Sequence, residues 1–186
     1  MTSPDLERAA QAIEAFLSAL GHPPASNPEL SQTGARVAEA FHSDLLSGYR
    51  MDPAAILSDT CVASSDDLVI LTSITTTAVC PHHLLPATGI AHVAYLPNGK
   101  LTGLGAIARL VQCFARRLVL QEQLSRDVAE ALVEHLGAKA AGCVVDLAPM
   151  CMIARGGRQV GARAITTAFA GDATPQFRRA FLERLP

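Results

Sequence analysis

Apolar residues recur at helical spacing from Leu6 through Ala9, Ala10, Ile13, Phe16, Leu17 and Leu20, and the run stops at Gly21. This period predicts a first amphipathic helix, with Ser3 as its N-cap and Pro4 at its first position. Residues 21–32, GHPPASNPELSQ, predict a proline-rich connector. Thr33 then predicts an N-cap for a second helix that carries Val37, Phe41, Leu45 and Leu46 and ends near Gly48. The pair makes an N-terminal helical appendage over residues 1–50, leaving residues 51–186 for the main domain.

Beyond residue 66 the pattern changes period. Residues 67–79 are rich in β-branched side chains, and 89–96 (GIAHVAYL) read as a second strand closed by a Pro97-Asn98-Gly99 turn. Ile107, Leu110, Val111, Phe114 and Leu118 return to the helical period, as do Leu124, Val128, Leu132 and Leu136 before Gly137. Residues 141–153 and 159–169 predict another strand pair, and 175–185 a short terminal helix. The predicted order is a helix pair, then β-β-α-α-β-β, then a helix, which is an α+β arrangement. Neither a solenoid-type repeat nor a low-complexity segment interrupts it.

Composition narrows the classes. With 186 residues and 19.5 kDa, the chain suits one compact domain with a small appendage. Hydrophobic residues reach 49% and charged ones only 17%, at a mean hydropathy of +0.26, which excludes disorder and predicts surface covered by other copies of the chain. A formal charge of −2 gives no general attraction to nucleic acid or to an anionic membrane, so any anion site must be a local cluster. No run approaches the roughly 18 apolar residues of a membrane span. The opening MTSPDLERAA is acidic where a signal peptide is basic, so a cytoplasmic protein is expected. In that reducing setting the 5 cysteines are expected as thiols or metal ligands.

Cys80-Pro81-His82-His83 falls where the first long strand should end. A thiolate and an imidazole three residues apart on a turn suit Zn²⁺, which takes S and N donors; the plainer alternative is a buried cysteine beside two loop histidines. Cys151, expected late in the third strand, is the best third ligand, and three protein ligands leave a position for water. Cys143, eight residues earlier on the same side of a regular strand, reads as core. Cys113 and Cys61 read as incidental thiols. Gln121-Glu122 opens the second long helix, where a carboxylate can either accept hydrogen bonds from a guanine-like N–H edge or simply sit solvated near the positive helix end. Arg36, Arg109, Arg116, Arg117, Arg155, Arg158 and Arg163 are candidates for an anion site.

Together these blocks resemble GTP cyclohydrolase I, from about Thr33 to the C-terminus. The carrying segments are CPHH (80–83), VAYLPNGKLTGLGAIARLVQCFARR (93–117), LQEQL (120–124) and MCMIARGGR (150–158). The resemblance implies a tunnelling fold, an antiparallel β-β-α-α-β-β sheet with helices on one face, assembled into a decamer with active sites at subunit junctions. It implies Cys80, His83 and Cys151 as zinc ligands, His82 as catalytic, and Glu122 with Gln121 as the guanine anchor. Arg36, from another subunit, Arg109 and Arg155 would hold a triphosphate. The implied reaction is attack of zinc-activated water on C8 of GTP, loss of formate, then an Amadori rearrangement and ring closure to 7,8-dihydroneopterin triphosphate.

Pro81 stands where the family usually has an acidic residue, Gly105-Ala106 where it has Ser-Lys, and Pro149 where it has a catalytic histidine. Three readings therefore stand side by side. The first is the complete GTP-to-pterin enzyme. The second is a hydrolase that opens the imidazole ring of a related guanine compound and stops there. The third is a non-catalytic purine- or pterin-binding member.

Overall fold

Asp5 caps the first helix, α1 (Leu6–Ala19), its carboxylate accepting from the Arg8 amide at 2.9 Å. An aspartate satisfies a free N–H and also complements the positive helix end. The computed structural model describes residues 4–186, so the expected Ser3 cap lies outside the described residues, and Pro4 precedes the helix. Gly21, at φ +85°, turns the chain away from α1. The connector folds into two 3₁₀ turns, Pro24–Ser26 and Pro28–Leu30. In α2 (Thr33–Glu39) Thr33 is the first helical residue and not the cap, which is Gln32, without a side-chain bond. The helix then widens to a π-turn over Ala40–Leu45. A Cβ at Gly34 would sit 2.6 Å from the Ala10 carbonyl, so glycine is what lets α1 and α2 touch.

The chain divides into two compact units after Ser47, three residues before the expected boundary. Gly48 belongs to the second unit because its amide donates to the Arg116 carbonyl at 2.9 Å, and the Cys113 carbonyl leaves no room for a Cβ. This unit starts with α3 (Pro53–Ile56) and a short strand, β1 (Thr60–Val62).

Its body is a four-stranded antiparallel sheet of β2 (Val69–Val79), β3 (Pro86–Leu96), β5 (Ala140–Pro149) and β6 (Ala164–Gly171), in the order β2-β3-β5-β6. The two long helices, α4 (Leu104–Ala115) and α5 (Gln121–Glu134), cover one face. Ile107, Leu110, Val111, Leu124, Val128 and Leu132 pack there against Ala91, Val93, Tyr95, Cys143 and Val145. This is the expected β-β-α-α-β-β order. The terminal helix, α7 (Pro175–Leu182), lays Phe177 and Phe181 against Ala94, Ala140 and Val144 on the opposite face. The pattern did not reveal a second, two-stranded sheet in which β1 pairs with β4 (Lys100–Thr102).

Three boundaries differ from expectation for local reasons. Helix α4 stops at Ala115 because the Arg117 side chain donates to the Cys113 carbonyl at 2.8 Å, taking the acceptor that its own amide would have used. Leu118 is therefore outside the helix and bridges to Val79. Strand β5 ends at Pro149, and residues 150–153 form a single helical turn, α6 (Met150–Ile153), not more strand. Strand β6 begins at Ala164 and not at Gln159, after a loop with Gly156 at φ +59° and Arg158 at φ +47°. No described helix is long and apolar enough to cross a membrane.

Candidate metal centre and its surroundings

Strand β2 ends at Val79 opposite Pro86, and the six residues from Cys80 to Leu85 reverse the chain. The Cys80 amide donates to the Leu85 carbonyl at 3.0 Å, and the Leu84 amide to the Cys80 carbonyl at 2.9 Å. Leu84 takes φ +53° to close the loop. This folds His83 back over Cys80, with Nδ1 at 3.8 Å from Cys80 Sγ. One register step further along β3, Ala87 pairs with Pro149, so β5 ends beside the same loop and α6 begins there.

Cys151 enters on that turn. Its sulfur, the Cys80 sulfur and a His83 ring nitrogen all lie within 4.8 Å of one another. Ligands at about 2.3 Å (S) and about 2.05 Å (N) around a tetrahedral ion lie about 3.6 Å apart, so these donors fit one metal with only small closure. Cys80 and Cys151 are half-buried and His83 is exposed, which leaves the site open on one side.

The expectation that Cys151 shares a strand face with Cys143 fails, because the chain leaves the sheet at Pro149. Cys143 is fully buried in the helix-side core, and burial pushes its thiol up to about 12. Burial also raises the Cys113 thiol, against the opposing influence of Arg117. Cys61 is exposed on β1.

Around the three donors the remaining candidates take different places. His82 is exposed, its ring edge-on to His83 at 6.2 Å between centroids. Arg155 Nη1 lies 2.9 Å from His83 Nε2. Arg155 lies beyond the expected strand end at residue 153, and nothing in the hydrophobic pattern brings it to His83; the helical turn α6, where strand is expected, does so. Gln121 opens α5 and donates both amide hydrogens to backbone, to the carbonyls of Val145 at 2.9 Å and Ala164 at 2.6 Å. Only its Oε1 is left for a ligand.

Glu122 is exposed in the first turn of α5, where the positive helix end favours a carboxylate. The Val79–Leu118 bridge draws the segment leading into α5 to the strand end that carries Cys80. Arg109 is exposed on α4, near enough to Gly105 that a Cβ there would lie 3.5 Å from its Nη1. Arg36 is exposed on α2 in the first unit.

Two of the other arginines have structural partners that account for them. Arg117 holds the Gly48 and Cys113 carbonyls and stacks on Phe114 at 4.9 Å. Arg163 pairs with Asp146 at 2.8 Å. Ala106 is buried, and Pro149 offers no proton-carrying side chain.

The sequence matches the profile of a known family, GTP cyclohydrolase I, over residues 9–185. A protein of Campylobacter lari named GTP cyclohydrolase 1 is 42% identical over 167 residues, covering 89% of this chain and 87% of that protein. One of Ralstonia nicotianae with the same name is 38% identical over 168 residues, covering 90% and 80%. Among solved structures, an archaeosine synthase QueF-Like in the apo form aligns with a TM-score of 0.49 at 20% identity, covering 60% of this chain and 100% of that one. On the extent of the profile match and the identity to these relatives, the chain belongs to the GTP cyclohydrolase I family.

Proposed function

We propose that this protein is a zinc-dependent cyclohydrolase that opens the imidazole ring of GTP or a related guanine compound in the cytoplasm, working as a homo-oligomer. The observation that carries this is the convergence of Cys80, His83 and Cys151 in a chain of this family. Two thiolates and one imidazole would hold Zn²⁺ with a coordination position left over. When bound, the metal supplies Lewis acidity that makes water a nucleophile near neutral pH.

The chain's own residues do the rest. Glu122 accepts hydrogen bonds from the N–H edge of the guanine, and the amide oxygen of Gln121, fixed by its two backbone bonds, extends that edge. His82, exposed beside His83, moves a proton to or from the opening ring. Arg109 and Arg155, with Arg36 of a neighbouring copy, bind the phosphate oxygens. If the full sequence is kept, the products are formate and 7,8-dihydroneopterin triphosphate.

A second reading is favoured by two specific positions. Pro149, at the start of α6, supplies no proton, and Gly105-Ala106 supply neither hydroxyl nor cation at the head of α4. With those groups missing, hydrolysis that stops at the ring-opened pyrimidine is the alternative outcome. The test is to incubate the zinc-loaded protein with GTP, GMP, guanosine and guanine and identify products by mass. A pterin from GTP supports the complete reaction, and a ring-opened pyrimidine supports the second reading. No turnover of any of the four, with zinc bound, sinks both and leaves a binding protein.

A further inference from the structure

We infer that Tyr49 is a positioning residue, its hydroxyl fixing the spacing between the strand end that carries Cys80 and the helix start that anchors the guanine. This rests on the roles proposed above for Cys80, Gln121 and Glu122. Residues 116–120 join α4 to α5 and lie outside both helices, so the amide in the middle of this linker has no helical partner. The Leu118 amide donates instead to the Tyr49 hydroxyl oxygen at 3.3 Å, and the Arg116 carbonyl accepts from the Gly48 amide at 2.9 Å. Leu118 also bridges to Val79, the residue before Cys80. Glu122 follows Leu118 by four residues, a span of at most about 14 Å. A clamp on Leu118 therefore sets two placements at once, that of the Cys80 loop through Val79 and that of the guanine anchor along the chain.

Tyr49 is itself held. Arg117 stands over its ring at 5.8 Å and over the Phe114 ring at 4.9 Å, and the Arg117 Nε donates to the carbonyls of Gly48 at 3.2 Å and Cys113 at 2.8 Å. The Cys113 thiol donates to the Met51 carbonyl at 3.7 Å, which ties the segment from Gly48 to Met51 to the end of α4. A phenol ordered in this way loses little further entropy when it accepts from the linker. Loss of its hydroxyl leaves the ring and the arginine contact in place and frees the Leu118 amide. The guanine still meets Glu122, but its C8 is no longer held where the ring opens, and a misplacement of about 1 Å costs up to about 10²-fold in rate.

The test compares zinc-loaded, full-length wild type with Tyr49→Phe and with Thr174→Ala, which removes the cap bond of α7 on the opposite face of the sheet. Tyr49→Phe is expected to lower kcat for GTP about tenfold. Its affinity for 7-deaza-GTP, in which a carbon in place of N7 bars ring opening, should match wild type by calorimetry. Hydrogen exchange read by mass should quicken both in residues 116–121 and in the 80–85 loop. Thr174→Ala should keep wild-type kcat and wild-type protection of both segments, which separates positioning from a general loss of stability. Wild-type kcat in Tyr49→Phe, unchanged protection of either segment, or kcat and 7-deaza-GTP affinity falling in equal proportion overturns the spacing role. A zinc-loaded wild type that turns over no guanine compound removes the proposed function instead. Exchange then decides the clamp: quickening of both segments in Tyr49→Phe upholds it, and unchanged protection of either overturns it.

Discussion

Replacing Cys80, His83 or Cys151 by alanine removes one of three donors from a site whose residues are half-buried or exposed, so the fold has little to lose and the metal has much. Each variant is expected to purify with zinc far below wild type while Cys61→Ala retains it, since Cys61 lies exposed on β1. Equal zinc in all four, measured by atomic emission, removes the ligand assignment. His92 makes a different prediction. It is buried on β3, where its Nδ1 accepts from the Ser73 amide at 3.3 Å. Burial lowers its pKa below the usual 6.5, with Asp146 opposing.

The unfolded chain therefore binds a proton at His92 that the folded chain resists, so stability falls as the pH drops through 6.5 toward the lower folded value. His92→Gln keeps a neutral acceptor and should flatten that fall, read as urea midpoints at several pH values; an unchanged pH slope refutes it. At this scale the three side chains that converge, Cys80, His83 and Cys151, were legible as candidate metal donors because CPHH and the later cysteine carry their chemistry in residue type. The environment of His92 was not, because burial on a strand face does not show in one residue.

Elements register partners as well as periodicity, and there the sequence was less informative. The four strands of the main sheet and both long helices followed from their apolar periods, within about five residues at the ends, whereas the β1–β4 pair did not. What escaped depends on side chains that meet backbone far along the chain. Arg117 ends α4 by occupying the Cys113 carbonyl, and Pro149 hands Cys151 to a helical turn, neither of which a hydrophobic pattern encodes. Gln121 is the clearest case. It reads as part of a ligand anchor, yet its amide fastens α5 to the β5 and β6 carbonyls of Val145 and Ala164. Gln121→Ala leaves those acceptors without their donor, which should lower stability by about 1–3 kcal/mol. The denaturant midpoint should drop with an unchanged m-value. A midpoint equal to wild type, with only ligand affinity reduced, returns Gln121 to a purely binding role.

At the scale of the whole molecule, a 19.5 kDa chain with 49% hydrophobic residues leaves part of its apolar surface uncovered. Strands β2 and β6 each have one strand neighbour among the described residues, so each presents an open row of backbone donors and acceptors. Strand β6 adds Ile165 at 66% exposure, with Val160 at 80% in the loop before it. Open edges with apolar side chains are templates for pairing with another chain, and a second copy of this chain offers the same chemistry. Light scattering should therefore give a mass several times that of the monomer. Ile165→Lys, which adds charge to the edge without entering the core, should shift the population to smaller particles of unchanged secondary structure. If Arg36 serves a neighbour's site, those particles also lose turnover while each chain still binds zinc. A wild-type monomer with full activity contradicts the assembly and places every catalytic group within one chain.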